Sequence, residues 1–176
     1  MARIEIWNGD ICDLEVDAIV TPANGSLWMS TGVAGAIKRA GGDSIEFAAI
    51  RQAPVEPGSA VVTPAGTLAV RAVIHAVSLD RDRRTTAATL EAAVRSAMAR
   101  AREIGATSIA FPALGSGVGG FPLDEGARIT VMTVRDELPA SPTVAHVVFA
   151  LRGAAAYQAF SQALQEATAM SSGVSQ

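Results

Sequence analysis

The sequence has one cysteine, Cys12, and two histidines, His75 and His146, among 176 residues. A lone thiol excludes an internal disulfide framework, and so few soft ligands exclude a structural zinc site. No uninterrupted apolar run reaches the ~18 residues that would span a bilayer, so no membrane association is expected. The first residues, Met1-Ala2-Arg3-Ile4-Glu5, show no apolar h-region, so no secretory leader is expected and the reading is cytoplasmic. There is no surplus of positive charge. Lys plus Arg number 14 against 17 Asp plus Glu, giving net −3 and a pI near 5.4, which argues against broad binding to nucleic acid. What remains is a chain that is 49% hydrophobic, too apolar for a disordered regulator and of a length that suits one domain.

The hydrophobic pattern resolves into short strands and longer helices. Arg3 to Trp7 alternates with period two and stops at Asn8-Gly9. Asp17 to Thr21 is a continuous apolar run ended by Pro22, which predicts a buried strand. Helices are predicted from Val33 to Ala40, stopped by Gly41-Gly42, and from Ser44 to Gln52. Ser59 to Thr63 and Ala72 to Val77 read as strands. Thr85 to Ile104 is the longest helical stretch, with Leu90, Val94, Met98, Ala101 and Ile104 on one stripe. A strand at Thr107 to Phe111, a helix from Pro122 to Leu138, a strand at Thr143 to Ala150 and a helix from Ala154 to Ala169 complete the pass. This alternation predicts a largely parallel sheet covered on both faces. The first strand and the 59–63 and 72–77 pair lack intervening helices, so part of the sheet is expected to be antiparallel.

In open α/β sheets ligands bind beyond the carboxyl ends of the strands. Three such loops are rich in small residues: Gly9-Asp10-Ile11, the stretch from Asn24 to Gly35, and Pro112 to Phe121. The last two lead straight into helices. Bare main chain and helix N-termini favour a phosphate group, so two such loops suggest two backbone walls around one anion. Taken singly, Asp10 and Asn24 are ordinary turn residues; functionally, a carboxylate accepts from a base or ribose, and an amide suits sugar hydroxyls. His75 and His146 read as core histidines, Cys12 as an unreactive thiol beside Asp13, and Arg81 to Arg84 as a solvated turn. Gly115, Gly117 and Gly120 also fit G-x-G-x-x-G, the dinucleotide fingerprint. Here it lies late in the chain with Pro122 at its heels, so an NAD(P)-binding Rossmann-like domain is a remote alternative.

Six ordered blocks of this sequence together resemble the macro domain family, modules that bind ADP-ribose and related NAD metabolites. They are Gly9 to Ile11, Val16 to Asn24, Gly32 to Ile37, Pro57 to Thr63, Val73 to Val77 and Phe111 to Pro122. The resemblance implies a three-layer α/β/α fold with a mixed, mostly parallel sheet of about six strands. It implies one macro domain over residues 1–170, with 171–176 a flexible tail. Asp10 is then expected at the adenine amine with the Ile11 amide beside it, and Asn24 at the distal ribose. Gly32 and Val33 are expected on one side of the diphosphate and Ser116, Gly117, Val118 and Gly119 on the other. Phe121 is expected to border the distal ribose, and Leu151, with Phe149 and Arg152 as alternatives, to flank the adenine. The partner implied is ADP-ribose or an ADP-ribosylated protein, with no cofactor and no metal.

Three departures bear on catalysis. The family's N-A-A-N reads Thr21-Pro22-Ala23-Asn24, Gly119 replaces a frequent aromatic, and Ala34 stands where hydrolytic members often carry Asp. A hydrolase on the same scaffold is therefore the alternative: a mono-ADP-ribosyl-protein hydrolase, an O-acetyl-ADP-ribose deacetylase or an ADP-ribose-1″-phosphate phosphatase. Asn24 is its candidate catalytic residue.

Overall fold

Alternate residues of the buried strands serve two different cores, which makes the sheet the middle of three layers. In the computed structural model, which describes residues 1–173, the sheet is built from β1 (Arg3–Asn8), β2 (Ala18–Ala23), β3 (Ala60–Pro64), β4 (Ala72–Val77), β5 (Ser108–Phe111) and β6 (His146–Leu151). Val147, Phe149 and Leu151 of β6 enter one core, and Val148 and Ala150 enter the other. Ala18 and Val20 divide from Ile19 in the same way on β2. On the first face lie α3 (Ala87–Glu103), α4 (Leu123–Glu137) and α5 (Ala154–Ser172), which contribute Leu90, Val94, Met98, Val131, Val134 and Phe160. On the second lie α1 (Gly32–Gly41) and α2 (Ser44–Ile50), which contribute Ile37 and Ile45. Each such fully buried aliphatic or aromatic side chain is worth about 1.5–3 kcal/mol.

The strand order is β1-β6-β5-β2-β4-β3, and only β3 runs antiparallel, against β4. This is the expected three-layer fold with a six-stranded, mostly parallel sheet. It is not the order of a doubly wound dinucleotide-binding sheet, so the Gly115–Gly120 spacing lacks the setting that fingerprint requires. The first strand corrects another expectation: β1 is parallel to β6, pairing Arg3 with His146 through Asn8 with Leu151. A missing helix between β1 and β2 signalled an antiparallel neighbour only if the two were adjacent, and β6 and β5 lie between them.

Pro22 does not end β2. The Ala23 carbonyl accepts from the Leu79 N–H on the β4 flank, so Pro22 faces the other flank. There β5 pairs only Ala18 and Ile19. The missing donor therefore leaves no ladder bond unmade. Ser171 and Ser172, expected in a flexible tail, are helical instead. Ser171 and Ser172 hydroxyls donate to the Ala167 and Thr168 carbonyls, at 3.1 and 3.2 Å, and α5 runs through Ser172. Residues 174–176 lie outside the described part of the chain.

The histidines differ from each other. His75, on β4, is buried as expected, with Nε2 2.9 Å from Thr63 Oγ1 and Nδ1 without a partner among the described residues. His146 is not a core residue. It opens β6 beside the edge strand, about a third exposed, with Nε2 3.0 Å from Glu5 Oε2.

Candidate functional site

Five parallel strands end on one edge of the sheet, and the segments after all five line one cleft of about 630 Å³. β1 delivers Gly9, Asp10 and Ile11; β2 delivers Asn24; β4 delivers Ser78 and Leu79; β5 delivers the glycine-rich loop; β6 delivers Arg152. Of the residues named from sequence, Asp10, Ile11, Asn24, Gly32, Val33, Ser116, Gly117, Val118, Gly119 and Leu151 all line this cleft. Phe121 does not, nor does Phe149, the alternative to Leu151, which is fully buried in the first core. The Phe121 ring packs against the first core, and the Phe121 N–H donates to the Gly115 carbonyl at 2.9 Å.

The glycine-rich loop is held from behind, which leaves its front free. Gly120 N–H donates to Gly117 O, Thr85 N–H to Gly119 O and Ser116 Oγ to Ala113 O, at 3.1, 3.1 and 3.0 Å. The N–H groups of Ser116, Gly117, Val118 and Gly119 donate to no acceptor among the described residues. Gly119 has a packing reason: a Cβ there would lie 2.2 Å from Thr85 Oγ1. Gly115 sits at φ 83, where an L side chain is strained. At Gly117 a Cβ would meet nothing within 4 Å, so the space in front of it is open cleft.

The facing wall is the start of α1. Thr31, its N-cap, makes no side-chain capping bond, and the Gly32, Val33 and Ala34 amides have no acceptor among the described residues. A helix N-terminus with unpartnered N–H groups attracts negative charge. The loop before it is pinned by Glu46, a buried carboxylate on α2. Glu46 Oε2 accepts from the Met29 N–H (2.7 Å) and Oε1 from Lys38 Nζ (2.8 Å). Burial pushes that acid upward, yet Lys38 and the Met29 amide outweigh it and hold it below its ordinary range.

Asp10 and Asn24 mark opposite ends. Asp10 Oδ1 caps a single 3₁₀ turn by accepting from the Cys12 N–H at 2.9 Å, and Oδ2 accepts from Arg152. That backbone bond, with the Arg152 guanidinium, lowers its pKa despite partial burial. Cys12 is held the opposite way: burial and the Asp10 charge push its thiol up to about 11, which leaves no reactive thiolate. Asn24 Oδ1 accepts from the Ser26 N–H, the Ser26 hydroxyl and the Leu27 N–H, at 3.1, 2.7 and 3.1 Å. Two backbone donors fix which amide atom is the oxygen. Only Nδ2 is left for a ligand, so Asn24 can donate to a sugar hydroxyl but is poorly suited to accept a proton from water.

Sequence reasoning passed over several wall residues. Ser78 and Leu79 follow a strand end and were open to the same rule that found the other loops. Arg83, at φ 61, lies in the stretch read as a solvated turn and lines the cleft. Arg39 shares a helix face with Gly35, four residues earlier, and lines it too. Trp28, 58% exposed, stands on the same wall, inside the Asn24–Gly35 stretch but not singled out there. Among the described residues no group of three or more His, Cys, Asp or Glu side chains is placed to hold a metal ion, and no helix is long and apolar enough to cross a membrane.

Comparison with known proteins agrees with this architecture. The Macro domain family model matches residues 20–130. An uncharacterized Mycobacterium tuberculosis protein is 42% identical over 165 residues, covering 94% of this chain and 45% of its own length. The chain thus spans under half the length of the first curated relatives it matches. The O-acetyl-ADP-ribose deacetylase of Salmonella gallinarum is 42% identical over 141 residues, covering 77% of this chain and 79% of that protein. Among solved structures, an Oceanobacillus iheyensis macrodomain variant with ADPR superposes with TM-score 0.87 at 27% identity, covering 94% of both chains. The chain belongs to the macro domain family.

Proposed function

We propose that this chain binds ADP-ribose, free or attached to protein, in the cleft at the carboxyl edge of the sheet. The observation that carries the reading is the pair of facing amide rows, Ser116 to Gly119 and Gly32 to Ala34, all without protein acceptors among the described residues. A diphosphate between them receives N–H donors from both sides with no need of a net positive protein. Asp10 then accepts from the adenine amine, retaining lone pairs beyond those given to Cys12 and Arg152. Ile11 and Leu151 meet the base, and Asn24 Nδ2 donates to the distal ribose. Residues 1–170 act as one binding unit in this reading, in a reducing, cytoplasmic setting that suits one free thiol. The related macrodomain with ADPR supports the ligand class. Calorimetric titration with ADP-ribose tests it: saturable heat is expected, and none at millimolar ligand defeats it.

A second reading, hydrolysis of an ester of ADP-ribose, is favoured by the Salmonella deacetylase relative. Ala34 lines the cleft and offers no carboxylate to orient water, and the Asn24 oxygen is fully occupied. Acetate release from O-acetyl-ADP-ribose above a protein-free control would establish this reading, and its absence leaves binding alone.

A further inference from the structure

We propose that the base-binding end of the cleft accepts a 6-oxopurine as well as adenine, and that Arg152 is the residue that admits it. The inference rests on the ADP-ribose reading above, in which Asp10 and Ile11 meet the base. Main-chain bonds on both sides of Arg152 fix it at that end. Gly9 N–H donates to Leu151 O at 2.8 Å, and Gly153 N–H donates to Asn8 Oδ1 at 3.3 Å. The chain leaving β6 is therefore tied to the end of β1 immediately before and immediately after Arg152. Gly153, at φ 91, then turns the chain into α5. The Arg152 guanidinium consequently meets Asp10 Oδ2, although 142 residues separate the two in sequence.

The edge offered to a base is mixed in polarity. Asp10, ionised, can only accept, and it is the one carboxylate among the described residues of the cleft. The Ile11 N–H donates to no acceptor among the described residues. Arg152, its side chain 70% exposed, spends one nitrogen on Asp10 and makes no other side-chain bond among those residues. Adenine presents an amine donor beside the acceptors N1 and N7, which a carboxylate and a main-chain N–H satisfy. A 6-oxopurine presents O6 and N7 as acceptors and N1–H as a donor. A lone carboxylate facing O6 would repel it. With a guanidinium beside the carboxylate the match is restored: Arg152 donates to O6 and N7, and Asp10 accepts from N1–H. Arginine spanning O6 and N7 is the commonest specific contact to a 6-oxopurine in nucleic acids.

The lining does not impose adenine by shape. On the segments that carry Asp10 and Arg152, the cleft is lined by Gly9, Ile11, Ala150, Leu151, Ala155 and Ala156, all small or aliphatic. Trp28 is the one aromatic side chain among the described residues of the cleft, and it stands on the loop before α1. With no ring to clamp the base, selection falls to the hydrogen-bonding edge that Asp10 and Arg152 share.

Calorimetry on the full chain tests this with two ligands, ADP-ribose and inosine diphosphate ribose, which differ only at the 6-position and N1 of the base. The inosine ligand should bind within about tenfold of ADP-ribose. Arg152→Gln should widen that gap by about tenfold or more, the scale of one lost bidentate contact. Arg152→Lys keeps the charge without the fork, so it should recover only part of the difference. Because the Arg152 side chain is 70% exposed, both variants should melt with the parent. An inosine ligand that fails to bind where ADP-ribose binds, or a gap that Arg152→Gln leaves unchanged, overturns the proposal and leaves the ADP-ribose reading standing. If neither nucleotide binds, both fall.

Discussion

A single substitution at Gly117 separates the binding surface from the fold. Its missing Cβ points into open cleft, so Gly117→Glu should keep the parent's thermal midpoint while abolishing ADP-ribose binding through bulk and repulsion of the diphosphate. Gly119→Ala makes the opposite case, because its Cβ would collide with Thr85 Oγ1. That variant should lose stability first, by about 1–3 kcal/mol as for an overpacked site. Paired thermal melts and titrations check both; a Gly117→Glu protein that binds like the parent defeats the phosphate wall. At the other end, Asp10→Ala should weaken ADP-ribose by about 1.5–3 kcal/mol, the scale of a bond to a charged acceptor. The Cys12 amide and Arg152 keep Asp10 ionised below its usual range. Whatever Asp10 contributes is present above its unfolded pKa and lost only as pH falls through the lower folded value. Titrations at pH 7 and pH 5 should therefore agree as far as this acid is concerned. Asp10 and Asn24 were legible as types of residue after strand ends. Phe121 was not, because its ring packs against the first core, whose members are scattered along the chain and which no local pattern announces.

Elements carry a different consequence, through His75 on β4. Burial drives its pKa down to about 4, and among the described residues its Nδ1 has no partner to stabilise the charged form. The neutral ring is what the fold accommodates, so the unfolded chain binds the proton more readily. Stability is then complete above pH 6.5 and is lost as pH falls from there towards 4. At pH 5 the expected loss is about 2 kcal/mol. Urea unfolding at pH 7 and pH 5 should show it, and His75→Gln should flatten the difference; an equal slope in the variant assigns the acid sensitivity elsewhere. The helices were readable because their apolar stripes are local, as with Leu90, Val94 and Met98 of α3. The direction of β1 was not, since its neighbour β6 lies at the far end of the sequence. Pro22 misled for the same reason: whether a strand tolerates proline depends on which flank lacks a partner.

For the whole molecule, the cleft ties together loops from five strands that otherwise belong to two cores. A ligand that engages all of them binds the native state and not the unfolded chain. At a concentration one hundred times Kd it should add about 2.7 kcal/mol to the unfolding free energy. For a chain of this size that corresponds to a rise in Tm of about 5–10 °C. The arginines along the walls make a second demand. Since Arg39 and Arg83 carry charge without ion-pair partners among the described residues, the shift should shrink as salt is raised from about 0.05 to 0.5 M, while the exchange of Asn24 and backbone bonds is little screened. A thermal shift that is absent at saturating ADP-ribose would mean the five loops do not act on one ligand. A shift indifferent to salt would mean the amide rows alone hold the diphosphate and the arginines face solvent.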